Sequence, residues 1–447
     1  MSLASPHFAE IVYGEPFGMA RRLKGARALT LFESAQRHEH LGRYSFLAVN
    51  PRHSLIVRQG KAFLNGRPKA EKPFELLQKL LAKSPRKTLP ELPPFQGGWA
   101  GYISYDYGRH LEPKAKIPAF DAICPDMVFH LYETIVAFDH LQERAWIVGG
   151  KKPDIAELEI LLSRPKQPNG DTVRVKFQSR ISQAVHQSNV AATVDYILAG
   201  DIFQANITQT FAARTPEGFD AFALYEQLRD KNPAPFACLI DDDDVKIISS
   251  SPERLIRYNG LIAEARPIKG TRRRDADALR DQALMAELVA SRKDRAENVM
   301  IVDLLRNDLS IVCEPGTIVV PSLCGLETYA NVHHLVSVVQ GKLRNGVTCV
   351  DLVKAVFPGG SITGAPKLRA MEIIAELEAA PRGVYCGAIG YFGFNNTCDF
   401  NIAIRTVQVA GDEMRVQGGG GITARSDPAA EYDESVLKVA RIIEAMA

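Results

Sequence analysis

The run GAIGYFGFNNTCDFNIAIRTVQVAGDEMRVQGGGG, residues 387–421, most constrains the fold. It reads as successive strands and gives way to a helical pattern near 429–445. Earlier stretches behave alike: HSLIVRQGKAFL, MVFHLYETIVAFDH and RAWIVGG carry apolar residues at mixed period-two spacing, which predicts antiparallel hairpins. In PERLIRYNGLIAEARP (252–267), Asn259-Gly260 between apolar arms predicts another hairpin. Helical patterns cover 275–306 and 365–379, the second placing Leu368, Met371, Ile374 and Ala375 on one face after Pro366 in its first turn. Several antiparallel strands with covering helices make an α+β protein.

At 447 residues the chain has room for two or three domains, or for one large interleaved one. SRPKQPNGDT (163–172), with two prolines and a glycine, is the linker candidate; it separates an amino-terminal region, 1–165, from a second region, 175–447. No window approaches the ~20 apolar residues of a membrane span. The N-terminus lacks a basic start followed by an apolar core, so a cytoplasmic location is expected. A formal charge of +2 indicates no nucleic-acid footprint, and the run Arg272–Arg274 reads as a solvated loop. Seven cysteines, scattered singly, read as reduced packing residues, and none sits in a GxCxG-like nucleophile elbow.

Several constellations could carry chemistry. Asp294 and Glu297 lie three apart on one helix; Glu431, Glu434 and Lys438 share a face of the last one. Such pairs are solvated helical faces or, as hard oxygen donors, a place for Mg²⁺. Residues 418–421 are a flexible glycine loop or a set of backbone N–H groups able to receive an anion. FPGGSITGAPKLRAMEII sets Ser361 before a helix N-terminus, another polar site. Arg405, amid apolar residues, requires a carboxylate partner or an acidic ligand. His334 lacks any metal-ligand pattern and reads as a satisfied core or edge histidine. In RPIKGTR (266–272), Lys269 stands between a proline that ends a strand and a glycine that opens a turn.

Taken together, SSSPERL, RPIKGT, DRAENVMIVDLLRND, HHLVSVVQG, FPGGSITGAPKLRAMEII, GAIGY, IAIRT and GGGGIT with EYDESVLK resemble the chorismate-utilising enzymes in order and spacing, over about residues 180–445. LFESA, RYSFLAVNP and PFQGGWAGYISYDYGRHLE resemble the amino-terminal region shared by anthranilate synthase and aminodeoxychorismate synthase large subunits. The resemblance implies a large β-sandwich core with helices on its outer faces, built from both sequence halves. It also implies chorismate as substrate and Mg²⁺ as cofactor. Glu297 and Glu434 match the direct metal ligands, with Asp294 and Glu431 supporting them. Gly419, Gly421 and Lys438 match the ring-carboxylate end of the pocket, Tyr385 and Arg405 the enolpyruvyl carboxylate, and His334 and Ser361 other pocket positions.

Within the family, isochorismate and salicylate synthases carry a water-activating lysine at the position of Gln204, which cannot serve as that base. The chain therefore resembles the ammonia-using members. Lys269, where anthranilate synthase typically has alanine, matches the aminodeoxychorismate synthase branch, in which it would be a covalent nucleophile and Glu253 the general acid. A surface acid in a turn is the bland alternative for Glu253. The branch implies a separate glutaminase subunit as ammonia source. Glu33, Ser34, Arg43, Tyr44, Ser45, Asn232 and Pro233 resemble the tryptophan site of anthranilate synthase, although Ala234-Pro235-Phe236 departs from the usual Ser-Pro-Tyr. Anthranilate synthase component I and a non-catalytic chorismate- or tryptophan-binding regulator are the rival readings.

Overall fold

The computed structural model describes residues 5–36, 41–168, 170, 174–329 and 332–446. Residues 169 and 171–172 of the linker candidate, and residues 1–4 and 447 of the two expected regions, lie outside them. Two twelve-stranded sheets, antiparallel in their strand pairings, dominate the described residues.

In the first sheet the order runs from His7–Ile11 through Arg144–Gly149, Thr134–Asp139, Tyr44–Ala48 and Leu29–Glu33 to Phe236–Asp241 and Val245–Ser251. It continues through Thr406–Ala410, Glu413–Ile422 and Gln204–Arg214. Strands from early and late sequence meet directly, Phe32 opposite Cys238. The second sheet has the same interleaving: Gly98–Ile103 pairs with Ala388–Gly393, Gly101 opposite Gly390. The two sheets pack face to face, with Phe46 and Ala137 of the first in one cluster with Ala100 and Tyr391 of the second. Ile240 and Ile247 likewise meet Tyr102 and Val128.

Helices cover the outer faces, as a half-apolar sheet requires. Ile301, Val302 and Leu305 of helix Arg292–Ser310 and Val350, Leu352 and Val353 of helix Cys349–Val356 pack on the second sheet beside Phe392 and Phe400. Val439 and Ile442 of helix Pro428–Glu444 pack on the first, beside Val407 and Val416. The α+β sandwich expected from the sequence is the observed architecture. No helix among the described residues is long and apolar enough to cross a membrane. All seven cysteines are buried and free.

Three local expectations need correction. The pattern over 275–306 is two helices, Ala278–Ala290 and Arg292–Ser310, because the Ser291 hydroxyl accepts from the Asp294 N–H and starts a new helix. Pro366 is the N-cap of Lys367–Glu378 rather than part of its first turn. The glycine run is no loop: Gly418–Gly421 belong to strand Glu413–Ile422, paired residue by residue with Gln204–Arg214. The Asn259-Gly260 hairpin is present, with Asn259 Oδ1 accepting from the Leu261 and Ile262 N–H groups.

Candidate active site

Lys269 lies on strand Ile268–Arg273, which pairs with Val332–Gly341. Its register shifts between Lys269 and Thr271, and Gly270 has φ of +77°. The glycine expected to open a turn therefore makes a β-bulge. A bulge re-aims the side chain beside it, and glycine takes the left-handed conformation without a Cβ clash. A Cβ on Gly270 would also stand 2.9 Å from side-chain atoms of Asp294 and Leu288. Its absence lets the strand rest on the helix that carries the acids.

Lys269 Nζ donates to the Ser361 carbonyl oxygen at 3.3 Å. Burial lowers its pKa; the carboxylates of Glu297, Glu253 and Glu434 pull the other way, and Lys438 adds to the lowering. The residue as a whole keeps intermediate exposure, so enclosure of its ammonium end is what counts. Glu253, in the short connection between Val245–Ser251 and Arg254–Tyr258, is buried rather than a surface acid. Burial raises its pKa against the influence of Lys269, Ser361 and the Ile268 backbone. A carboxyl whose pKa burial raises, beside an amine whose pKa burial lowers, can serve as an acid–nucleophile pair. The Ser361 hydroxyl lies near that carboxyl but makes no hydrogen bond of good geometry to a described residue.

Four carboxylates face one another from two helices. Burial raises the Glu297 pKa, Lys269 and Lys293 oppose the rise, and Asp294 and Glu431 add to it. Glu431 is also raised, by burial and then by Glu434, although it accepts from Ser426 Oγ at 2.7 Å. For Glu434 burial is outweighed: Lys438, 2.7 Å away, and then Lys293 and Lys269 hold its pKa below the ordinary range. Asp294 has Arg272 Nη2 at 3.7 Å. Glu297 Oε1 is buried without a hydrogen-bond partner, and its nearest cation, Lys293 Nζ, is 4.0 Å away.

Among the described residues no three His, Cys, Asp or Glu side chains form a closed metal cage. The donor set nevertheless fits Mg²⁺, which takes one or two carboxylates and leaves its remaining positions to water and substrate oxygens. The orphaned Glu297 oxygen is the observation that asks for such a cation.

The glycine strand forms the floor below these acids. A Cβ on Gly420 would come within 2.9 Å of Glu431 Oε2, one on Gly419 within 2.2 Å of the Ile207 carbonyl, and one on Gly421 within 2.6 Å of Gln204 Nε2. Lys438 Nζ donates to the Gly419 carbonyl at 2.8 Å. Both polar atoms of the Gln204 side chain are buried without partners.

On the adjoining strand, His334 Nδ1 is 2.8 Å from Thr271 Oγ1. Burial and then the Arg405 charge push its pKa down to about 4. Arg405, between strands Cys398–Ile402 and Thr406–Ala410, has φ of +52° and donates from Nη1 to Asn232 Oδ1 at 3.2 Å. No carboxylate among the described residues pairs with it, which leaves an acidic ligand as the other expected partner. Tyr385 is buried beside Cys386 and Arg382. Sequence reasoning missed Thr271, Ser426 and the Asn232–Arg405 bond. It also missed Lys293, whose i,i+4 spacing from Glu297 was the available signal.

A cavity of about 420 Å³ lies elsewhere, between the sheets, lined by Glu33, Ser34, Arg43 and Tyr44 with Pro235, Phe236, Arg254 and Tyr391. Ser45, Asn232 and Pro233 do not line it. Ser45 Oγ stands behind, 2.6 Å from His140 Nε2. Glu33 is already engaged by Tyr225 at 2.7 Å and Arg229 at 3.0 Å, and Arg43 by Asp139. A crevice of about 10 Å³ adjoins Glu253 and Ser361. Volume favours the intersheet cavity over that crevice; a lysine of intermediate exposure converging with carboxylates of displaced pKa makes Lys269 the candidate site.

This fold of two interleaved sheets, with acids, a lysine and a glycine strand brought together, is that of a chain belonging to the chorismate binding enzyme family, whose pattern matches residues 27–444. Aminodeoxychorismate synthase component 1 of Bacillus subtilis is 37% identical over 421 residues, covering 89% of this chain and 88% of its own. Anthranilate synthase component 1 of Thermus thermophilus is 37% identical over 426 residues, covering 93% and 91%. The crystal structure of anthranilate synthase component I from Streptococcus pneumoniae superposes with a TM-score of 0.80 at 33% identity, covering 90% of this chain and 92% of that one.

Proposed function

We propose that the protein is component I of an aminodeoxychorismate synthase, which replaces the C4 hydroxyl of chorismate with an amino group for 4-aminobenzoate and folate synthesis. The observation that carries this reading is the enclosed Lys269 ammonium, bonded to the Ser361 carbonyl and flanked by Glu253 and Glu297. Anthranilate formation, the reaction of equally similar relatives, has no evident use for a lysine there.

In the proposed reaction neutral Lys269 attacks C2, the ring double bonds shift, and the C4 hydroxyl leaves as water on a proton from Glu253. Ammonia then adds at C4 and expels the Lys269 amine, so that chorismate and ammonia yield 4-amino-4-deoxychorismate and water. Lys269 must lose its proton before attack, and burial favours this. Arg405 holds the enolpyruvyl carboxylate, and Lys438 with the Gly419–Gly421 backbone borders the ring-carboxylate end. Glu297 and Glu434 would hold Mg²⁺, with Asp294 and Glu431 behind them; when bound, the ion supplies positive charge to anchor the ring carboxylate. The seven cysteines are all buried, which fits an ammonia supply from a separate glutaminase subunit.

The test is product identification by mass spectrometry after incubation with chorismate, Mg²⁺ and ammonium. A product retaining the enolpyruvyl group is expected. Anthranilate with free pyruvate would instead assign anthranilate synthase, and no ligand-dependent turnover would leave a binding protein.

A further inference from the structure

We infer that Asn232 is a positioning residue for Arg405, aiming its guanidinium into the substrate site while leaving its charge unneutralised. This rests on the reading above, in which Arg405 receives a substrate carboxylate.

Asn232 follows helix Ala221–Lys231 and is buried at 5% exposure. Its Nδ2 donates to Ser250 Oγ at 3.1 Å, and Ser250 Oγ donates to the Asn232 carbonyl. With the amide nitrogen so engaged, Oδ1 is left facing Arg405 Nη1 at 3.2 Å. Ser250 also donates its backbone N–H to the Arg405 carbonyl at 3.1 Å. One serine thus ties down both the arginine's main chain and the amide that holds its head. The backbone at Arg405 is in the left-handed region, φ +52°, which a non-glycine residue keeps only when its surroundings enforce it.

The choice of amide has an electrostatic consequence. Among the described residues, the other charged or titratable groups that act on Arg405 or feel its charge are Arg441 of helix Pro428–Glu444 and His334 of strand Val332–Gly341, and neither is an acid. A carboxylate at 232 would reach Arg405 in the same geometry and compete with an anionic substrate. A neutral acceptor orients the guanidinium without that competition. The sequence resemblance had assigned Asn232 to a tryptophan pocket, whose cavity it does not line.

The test compares Asn232→Asp, Asn232→Ala, Arg405→Ala and the double variant Asn232→Asp/Arg405→Ala, in steady-state assays with chorismate, Mg²⁺ and ammonium. Asn232→Asp is expected to raise KM for chorismate about tenfold or more with a much smaller change in kcat, and Asn232→Ala to raise it less. In the Arg405→Ala background Asn232→Asp should add almost nothing, since a residue acting through the arginine has no target left. A merely structural Asn232 would instead lower the melting temperature and act additively in both backgrounds, which would overturn the inference; should Asn232→Asp not fold, the same KM comparison is read from Asn232→Ala. An unchanged KM in Arg405→Ala would overturn the carboxylate role of Arg405 itself. A raised KM in Arg405→Ala with unchanged KM in both Asn232 variants would overturn the positioning role alone.

Discussion

The Lys269 ammonium donates to the Ser361 carbonyl oxygen at 3.3 Å, which ties the bulged strand to the 3-10 turn Gly360–Ile362. Lys269→Ala is expected to abolish C4 amination or reduce it by at least about 100-fold, and to divert residual turnover towards anthranilate by direct attack of ammonia at C2. Mass spectrometry of the products at saturating ammonium checks this. Parent-rate formation of the C4-amino product would end the nucleophile assignment.

Glu297→Gln should strongly weaken Mg²⁺-dependent turnover without harming the fold. A carboxylate whose buried Oε1 lacks a partner, beside Asp294 and Glu431, is a cost in the absence of a cation. The metal-free variant should therefore melt no lower than the parent, and calorimetric titration should show weaker Mg²⁺ binding. Unchanged activity at limiting Mg²⁺ would rule out the metal role.

Gly270→Ala tests the bulge. The new Cβ must adopt φ near +77° and stand 2.9 Å from Asp294 and Leu288 atoms. A stability loss of about 1–3 kcal/mol is expected in chemical denaturation. The same displacement should lower kcat, because the strand that moves carries Lys269. A variant as stable and active as the parent would show that the bulge is dispensable.

His334 gives stability a pH dependence of defined sign. Its folded pKa, about 4, lies below the ordinary 6.5 of an exposed histidine, so folding favours the neutral ring. Its contribution is complete above pH 6.5 and is lost as pH falls through 4, since only the unfolded chain takes up the proton readily. The loss has an upper bound of ~3 kcal/mol. Denaturation curves between pH 7 and 4 should be flatter in His334→Gln than in the parent.

The intersheet cavity, lined by Glu33, Ser34, Arg43 and Tyr44, is predicted to bind tryptophan weakly at most, because Glu33 and Arg43 are already engaged by Arg229 and Asp139. Phe236, one of the two departures from Ser-Pro-Tyr, forms part of the wall, whereas Ala234 does not line it, and Ser34 Oγ donates to the Pro235 carbonyl at 3.2 Å. Calorimetry on protein freed of carried-over ligand checks the prediction; tight binding, saturating well below millimolar tryptophan, would remove it.

The sequence by itself determined the architecture, the family and the residues worth naming. Strand alternation and helix patterns are set by neighbours a few residues apart, and motif order survives without any knowledge of contacts. Local pattern also misled: four consecutive glycines look like a loop, yet Gly419 pairs with Thr208 because a strand without side chains admits backbone and carboxylates at close range. Likewise a Lys-Gly step looked like a turn and is a bulge. Only the tertiary structure decided that Glu253 is buried, that Arg405 has an amide and no acid beside it, and that Lys269 from one strand meets Glu297 and Glu434 from two helices. Those relationships join residues separated by up to 173 positions, as Asn232 and Arg405 are. Desolvation and charge proximity depend on distances in space, which sequence spacing does not encode.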